Sequence, residues 1–112
     1  MTRIQETIQR IEANLAGNET IPEERKSELI DLVDRLKGEI EHLETTHSED
    51  AGSIASYTES SVREATRTEP DEVMLRHTLD GLSLSVRQFE VSHPTLMDII
   101  NTISQVLSGS GI

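Results

Sequence analysis

The sequence predicts an all-α fold, an antiparallel up-down helical bundle of four to five helices with coiled-coil-like heptad packing. Apolar residues recur at alternating spacings of four and three in four stretches, as expected for buried helix faces. No stretch alternates apolar and polar residues over the length of a strand. The four stripes are Ile4, Ile8, Ile11 and Leu15; Leu29, Val33, Leu36, Ile40 and Leu43; Leu75, Leu79, Leu82, Val86 and Phe89; and Leu96, Ile100, Ile103 and Leu107.

The chain of 112 residues has the usual size of one domain, so a single domain over residues 1–112 is expected. Residues 47–69 are rich in Ser, Thr and Ala and carry a weaker apolar stripe, which predicts a third helix or a partly ordered linker. This variable segment separates a helical hairpin, 2–46, from a C-terminal hairpin, 70–112. The predicted helices lie near 2–16, 21–46, 49–67, 70–91 and 93–108.

Residue types at the predicted helix ends support these boundaries. Thr2 with Gln5, and Thr20 with Glu23, have the spacing of a capping box. Gly17-Asn18 suits a left-handed cap after the first helix. A hydroxyl residue and a proline flank one variable position at three predicted helix N-termini, which suggests that the same local structure begins all three helices. The three entries are Thr20-Ile21-Pro22, Thr68-Glu69-Pro70 and Ser92-His93-Pro94.

Composition argues against several classes of function. The chain has 21 Asp+Glu against 10 Lys+Arg, a formal charge of -11, which disfavours binding to nucleic acid or to a membrane surface. It has no cysteine, no Gly-rich phosphate loop and no serine with a histidine nearby in a context that would activate it, so we expect a non-enzymatic protein without a cofactor. No signal-peptide or membrane-span pattern is present, and a cytoplasmic location is expected.

Two Glu-x-x-His spacings raise the alternative of a metal-binding bundle, because this spacing presents two ligands on one helix face. Glu44 with His47 and Glu90 with His93 are the candidates, and an up-down bundle would bring both pairs to the same end. A residue before proline is pushed out of the helical region, however, so His93 is not expected to continue the helix of Glu90. We therefore favour a structural corner formed by Ser92, His93 and Pro94, with no bound metal.

Self-association is predicted from two features. The second helix, at about 26 residues and 1.5 Å per residue, would span roughly 39 Å, more than a terminal helix can cover. Leu84 also lies off its stripe, on the far face of the fourth helix. These features favour a homodimer through the second and fourth helices, unless the third helix covers both faces within one chain. The predicted core and interface residues are Leu29, Val33, Leu36, Ile40, Leu43, Leu75, Leu79, Leu82, Val86 and Phe89.

The C-terminal stretch LSLSVRQFEVSHPTLMDIINTISQVLSGSGI resembles the closing hairpin of a small bacterial family, domain of unknown function 4404. The resemblance rests on Phe89-Glu90, His93-Pro94, Leu96 and Gly111-Ile112, and covers Leu75 to Ile112. It implies a helical fold and a bacterial origin, transfers no catalytic residue, and suggests that the Ser-rich segment is an added or variable helix.

Together these observations predict an acidic helical bundle that self-associates or offers a surface to a protein partner. The terminal Ile112 follows a Gly-rich cap and is predicted to dock either into its own bundle or into another protein.

Overall fold

The computed structural model describes residues 2–109 as five α-helices and a short 3-10 helix. They are α1 (Arg3–Gly17), α2 (Glu23–Glu44), α3 (Ser48–Ala65), α4 (Glu72–Val86), the 3-10 helix (Arg87–Phe89) and α5 (Pro94–Gly109). The described residues contain no strand. The predicted all-α bundle is therefore confirmed, while the predicted role of Ile112 lies outside the described residues.

Each helix packs against the next one in the chain, as expected for short connections. In addition, α3 contacts α1 and α5, and α2 contacts α5. No helix within residues 2–109 has the length and apolar character needed to cross a membrane.

The predicted stripe residues of α2 and α4 lie in the core of the single chain. Leu29, Val33, Leu36 and Ile40 are fully buried on α2, and Leu82 and Val86 are fully buried on α4. Leu43, Leu79 and Phe89 are also buried, and Leu75 is half-buried against the same cluster. Because these side chains are covered within one chain, a dimer of folded chains must use other residues.

The Ser-rich segment forms a full helix, α3, which contacts α1, α2 and α4. Small residues such as Ala51, Ala55 and Ala65 are buried and let the neighbouring backbones approach closely. The buried Thr58 hydroxyl donates a hydrogen bond to the carbonyl of Ile54 at 2.8 Å, which satisfies its polar group. Since α3 covers α2 within the chain, the length of α2 no longer argues for a dimer.

An ion pair holds α1 against α3. Arg10 donates two hydrogen bonds to the Glu59 carboxylate, from Nε at 2.7 Å and from Nη2 at 3.2 Å. The hydrogen bond and the negative charge of Glu59 raise the pKa of Arg10 above its usual value. At the other end of α3, the side-chain amides of Asn14 and Asn18 donate to Thr66.

The contact between α3 and α4 depends on a glycine. The Tyr57 ring of α3 occupies the space in which a β-carbon on Gly81 of α4 would lie. Gly81 therefore allows the ring to lie directly on the backbone of α4, although Tyr57 itself stays partly exposed.

Helix ends match the sequence prediction only in part. Thr2 and Gln5 form the predicted capping box. The predicted box at Thr20 is wrong, because Asn18 Oδ1 instead accepts the backbone N–H groups of Thr20 and Ile21. The left-handed cap expected at Gly17-Asn18 is also wrong, since Asn18 is extended, with φ −81° and ψ 127°.

The three proline entries also differ from one another. Pro22 is the N-cap residue of α2, Pro94 is the first residue of α5, and Pro70 lies before Asp71. Asp71 caps α4, because its side chain accepts hydrogen bonds from the backbone N–H groups of Val73 and Met74. The idea of one local structure used three times is therefore wrong. The predicted ends of the second and fourth helices, residues 46 and 91, also extend beyond Glu44 and Val86.

Candidate functional site

The histidines of the two Glu-x-x-His pairs meet at one end of the bundle, around Phe89. The His47 and His93 rings both contact the buried Phe89 ring edge to face, with centroid separations of 5.2 and 5.5 Å. His47 is exposed and His93 is half-buried. The sequence analysis thus placed both histidines at the correct end of the molecule.

Local hydrogen bonds fix both histidines. His47 Nδ1 lies 2.8 Å from the Thr46 hydroxyl, and His93 Nδ1 lies 2.9 Å from the Ser92 hydroxyl. The backbone N–H of His93 donates to the carbonyl of Phe89 at 2.8 Å. The His93 carbonyl in turn accepts from the N–H of Met97, in the first turn of α5. Ser92 and His93 therefore lie in the turn between α4 and α5, directly before Pro94, where the corner was predicted.

Neither pair has the geometry of a helical metal site. Glu44 is the last residue of α2, and His47 lies beyond the end of that helix. Glu90 and His93 lie in the turn after the 3-10 helix, in agreement with the effect of Pro94 on the residue before it. Within residues 2–109 no three His, Cys, Asp or Glu side chains are grouped so that they could hold a metal ion.

The outer face of α4, which we define by Val73, His77, Asp80 and Leu84, lies opposite the core. At 100° per residue these four positions fall within about 60° of arc. All four side chains are exposed, Val73 by 76% and Leu84 by 60%. The sequence analysis identified Leu84 but missed Val73. The signal was available, because residues eleven positions apart lie on the same side of a helix.

The charged side chains on and beside this outer face have no ion-pair partner among residues 2–109. None of the ion pairs found among residues 2–109 involves Arg76, His77 or Asp80, and all three side chains are exposed. The exposed face of α2 differs, since it carries Asp31, Asp34 and other polar residues. The geometry therefore supports α4, and not α2, as a contact surface.

Two surface grooves have volumes of about 900 and 990 Å³. One runs between α4 and α5 and includes Arg76, Asp80 and Ser104, whose buried hydroxyl has no hydrogen-bond partner. The other runs along α1 and α3 and includes Arg10 and several serines. Neither groove has a histidine in its lining, so neither combines a serine with a neighbouring imidazole base.

The comparisons with known proteins give one match. A family model described as domain of unknown function (DUF4404) matches residues 31–112. No curated protein and no solved structure matches the chain. The family match is longer than the stretch 75–112 on which the resemblance rested, and it runs through α3, which was expected to be an added segment. Because the match covers most of the sequence, the chain belongs to the family of domain of unknown function (DUF4404).

Proposed function

We propose that this protein is a non-enzymatic interaction module that assembles as a homodimer through the outer face of α4. The observation that carries the proposal is the exposure of Val73 and Leu84 on the side of α4 opposite its core stripe. A surface helix of a monomer normally carries polar residues on that side. Two apolar side chains there favour contact with another protein surface.

Two further observations support an interaction role over catalysis. The charged side chains beside Val73 and Leu84 have no ion-pair partner within residues 2–109, so they remain available to a partner. The two surface grooves are lined without a histidine that could activate one of their serines.

The test is the mass of the protein in solution, measured by light scattering over a range of concentrations. A homodimer should show twice the 12.5 kDa mass of one chain at tens of micromolar and dissociate on dilution. Leu84→Glu should shift the protein to the single-chain mass. Ser83→Glu is the matched control, because it adds the same charge at the neighbouring exposed position, away from the outer face. A single-chain mass for the parent protein, or equal dissociation of both variants, would contradict the proposal.

A further inference from the structure

The residues on the outer face of α4 are arranged nearly symmetrically about a point between residues 78 and 79. Val73 and Leu84 lie at equal distances on either side of this point, and so do His77 and Asp80. The first pair thus joins two apolar residues, and the second joins an imidazole to a carboxylate. Arg76, on the preceding position, adds a permanent positive charge next to His77.

This symmetry has a consequence for two antiparallel copies of α4 related by a two-fold axis. When the axis passes between residues 78 and 79, Val73 of one copy lies opposite the partner's Leu84. Asp80 then lies opposite the partner's His77, with the partner's Arg76 beside it. A two-fold contact repeats every pairing, so the Val73–Leu84 pairing and the His77–Asp80 pairing each form twice.

We propose that the protein forms an isologous dimer in which the two α4 helices pack antiparallel in this register. The inference rests on the proposed function and specifies its partner, a second copy of this chain, and its geometry. A parallel arrangement in register would instead place Asp80 against the partner's Asp80, and like charges that face each other oppose association. In a chain with a net charge of -11, local pairing of opposite charges favours the antiparallel arrangement.

Engineered cysteines test the register directly, because the natural chain has none. Val73→Cys and Leu84→Cys chains are prepared separately, then refolded as an equal mixture and oxidised gently. Positions 73 and 84 on one helix are about 16 Å apart, whereas a disulfide needs α-carbons within about 7 Å. The proposed register therefore predicts covalent dimers in the mixture, up to about half of the dimers present if chains pair at random, and few in either chain alone.

Each outcome of the cysteine experiment has a clear meaning. If light scattering shows dimers and two Val73→Cys chains cross-link to each other, the antiparallel register is wrong. The proposed function is then still supported. Dimers that cross-link in no combination would also overturn the register. A single-chain mass for the parent would overturn both. Ser83→Cys replaces Leu84→Cys in a control mixture, to measure cross-links that form by random collision.

A charge exchange provides a second readout of the same register. Asp80→Lys places a positive charge opposite the partner's Arg76 and His77, so the dissociation constant of the dimer should rise at least about tenfold. Adding Arg76→Glu in the same chain restores opposite charges across the axis and should recover most of the affinity. Asp98→Lys is the control, because Asp98 is an exposed residue of α5 and the change in net charge is the same. If the double variant stays as weak as Asp80→Lys, the proposed register is wrong.

Discussion

Leu82 and Leu84 provide a direct test of the division of α4 into a core face and an outer face. The two leucines are two residues apart in the same helix, yet Leu82 is fully buried and Leu84 is 60% exposed. Replacing each by alanine makes the same chemical change in the same helix. Any difference between the two variants therefore reports the surroundings of the side chain and not helix propensity.

The expected magnitude follows from burial. At about 0.8 kcal/mol for each buried carbon, the three carbons lost in Leu82→Ala account for roughly 2.4 kcal/mol, and the remaining cavity adds to this. We expect a loss of about 3 kcal/mol in the free energy of unfolding, within the observed range of about 2–5 kcal/mol for buried leucines. Leu84→Ala should change it by less than about 0.5 kcal/mol in dilute solution, where the chain is monomeric.

Urea denaturation followed by circular dichroism measures both values, and a thermal scan gives an independent estimate. For a domain of this size each kcal/mol corresponds to about 4 °C, so Leu82→Ala should melt roughly 12 °C below the parent. At tens of micromolar Leu84→Ala should also lose stability relative to the parent, because the proposed dimer would then stabilise the parent. Equal losses for the two variants in dilute solution would refute the assignment of the two faces.

Two further predictions concern contacts between helices. Gly81→Ala should lower the melting temperature of the parent, because the new β-carbon displaces the Tyr57 ring. In a Tyr57→Ala background the same change should raise the melting temperature, because alanine has a helix propensity up to about 1 kcal/mol more favourable than glycine. A rise in both backgrounds would show that the ring moves aside freely. Glu59→Gln should destabilise the protein more than Glu6→Gln, a change at an exposed glutamate of α1, because only Glu59 accepts hydrogen bonds from Arg10. Because the pKa of Arg10 is raised, its contribution to stability is fully present below its ordinary pKa and is lost only as the pH rises through the raised value in strongly alkaline solution. Thermal scans between about pH 6 and pH 9 should therefore find no change in this contribution.

Helix periodicity predicted the fold because burial on one face leaves a strong pattern in the sequence. The stripe of α2 from Leu29 to Leu43 is buried along its whole length. The weaker apolar stripe of residues 47–69 indicated a third helix, but composition alone could not decide whether the segment was ordered. Its order depends on contacts with its neighbours α2 and α4 and with the more distant α1, and composition does not encode these contacts.

Helix ends were less predictable because several side chains compete for the same backbone N–H groups. At the start of α4, Thr68 fitted the expected pattern with Pro70, yet Asp71 caps the helix. Before α2, Asn18 Oδ1 accepts the backbone N–H of Thr20, which the Glu23 side chain would accept in the predicted capping box. The choice depends on the path of the chain between helices, and spacing in the sequence does not encode that path.

The short length of α4 limits how strong a dimer through this helix can be. A helix of 15 residues is about 22 Å long, so one antiparallel helix pair offers a small contact area. Stable interfaces bury about 1,200–2,000 Å² in total, and smaller ones belong to weak or transient complexes. Tyr57 and Met74, which are exposed by 41% and 44%, can enlarge the contact beside the outer face. Association through α4 is therefore expected in the micromolar range, where small changes in protein concentration shift the balance between one chain and two.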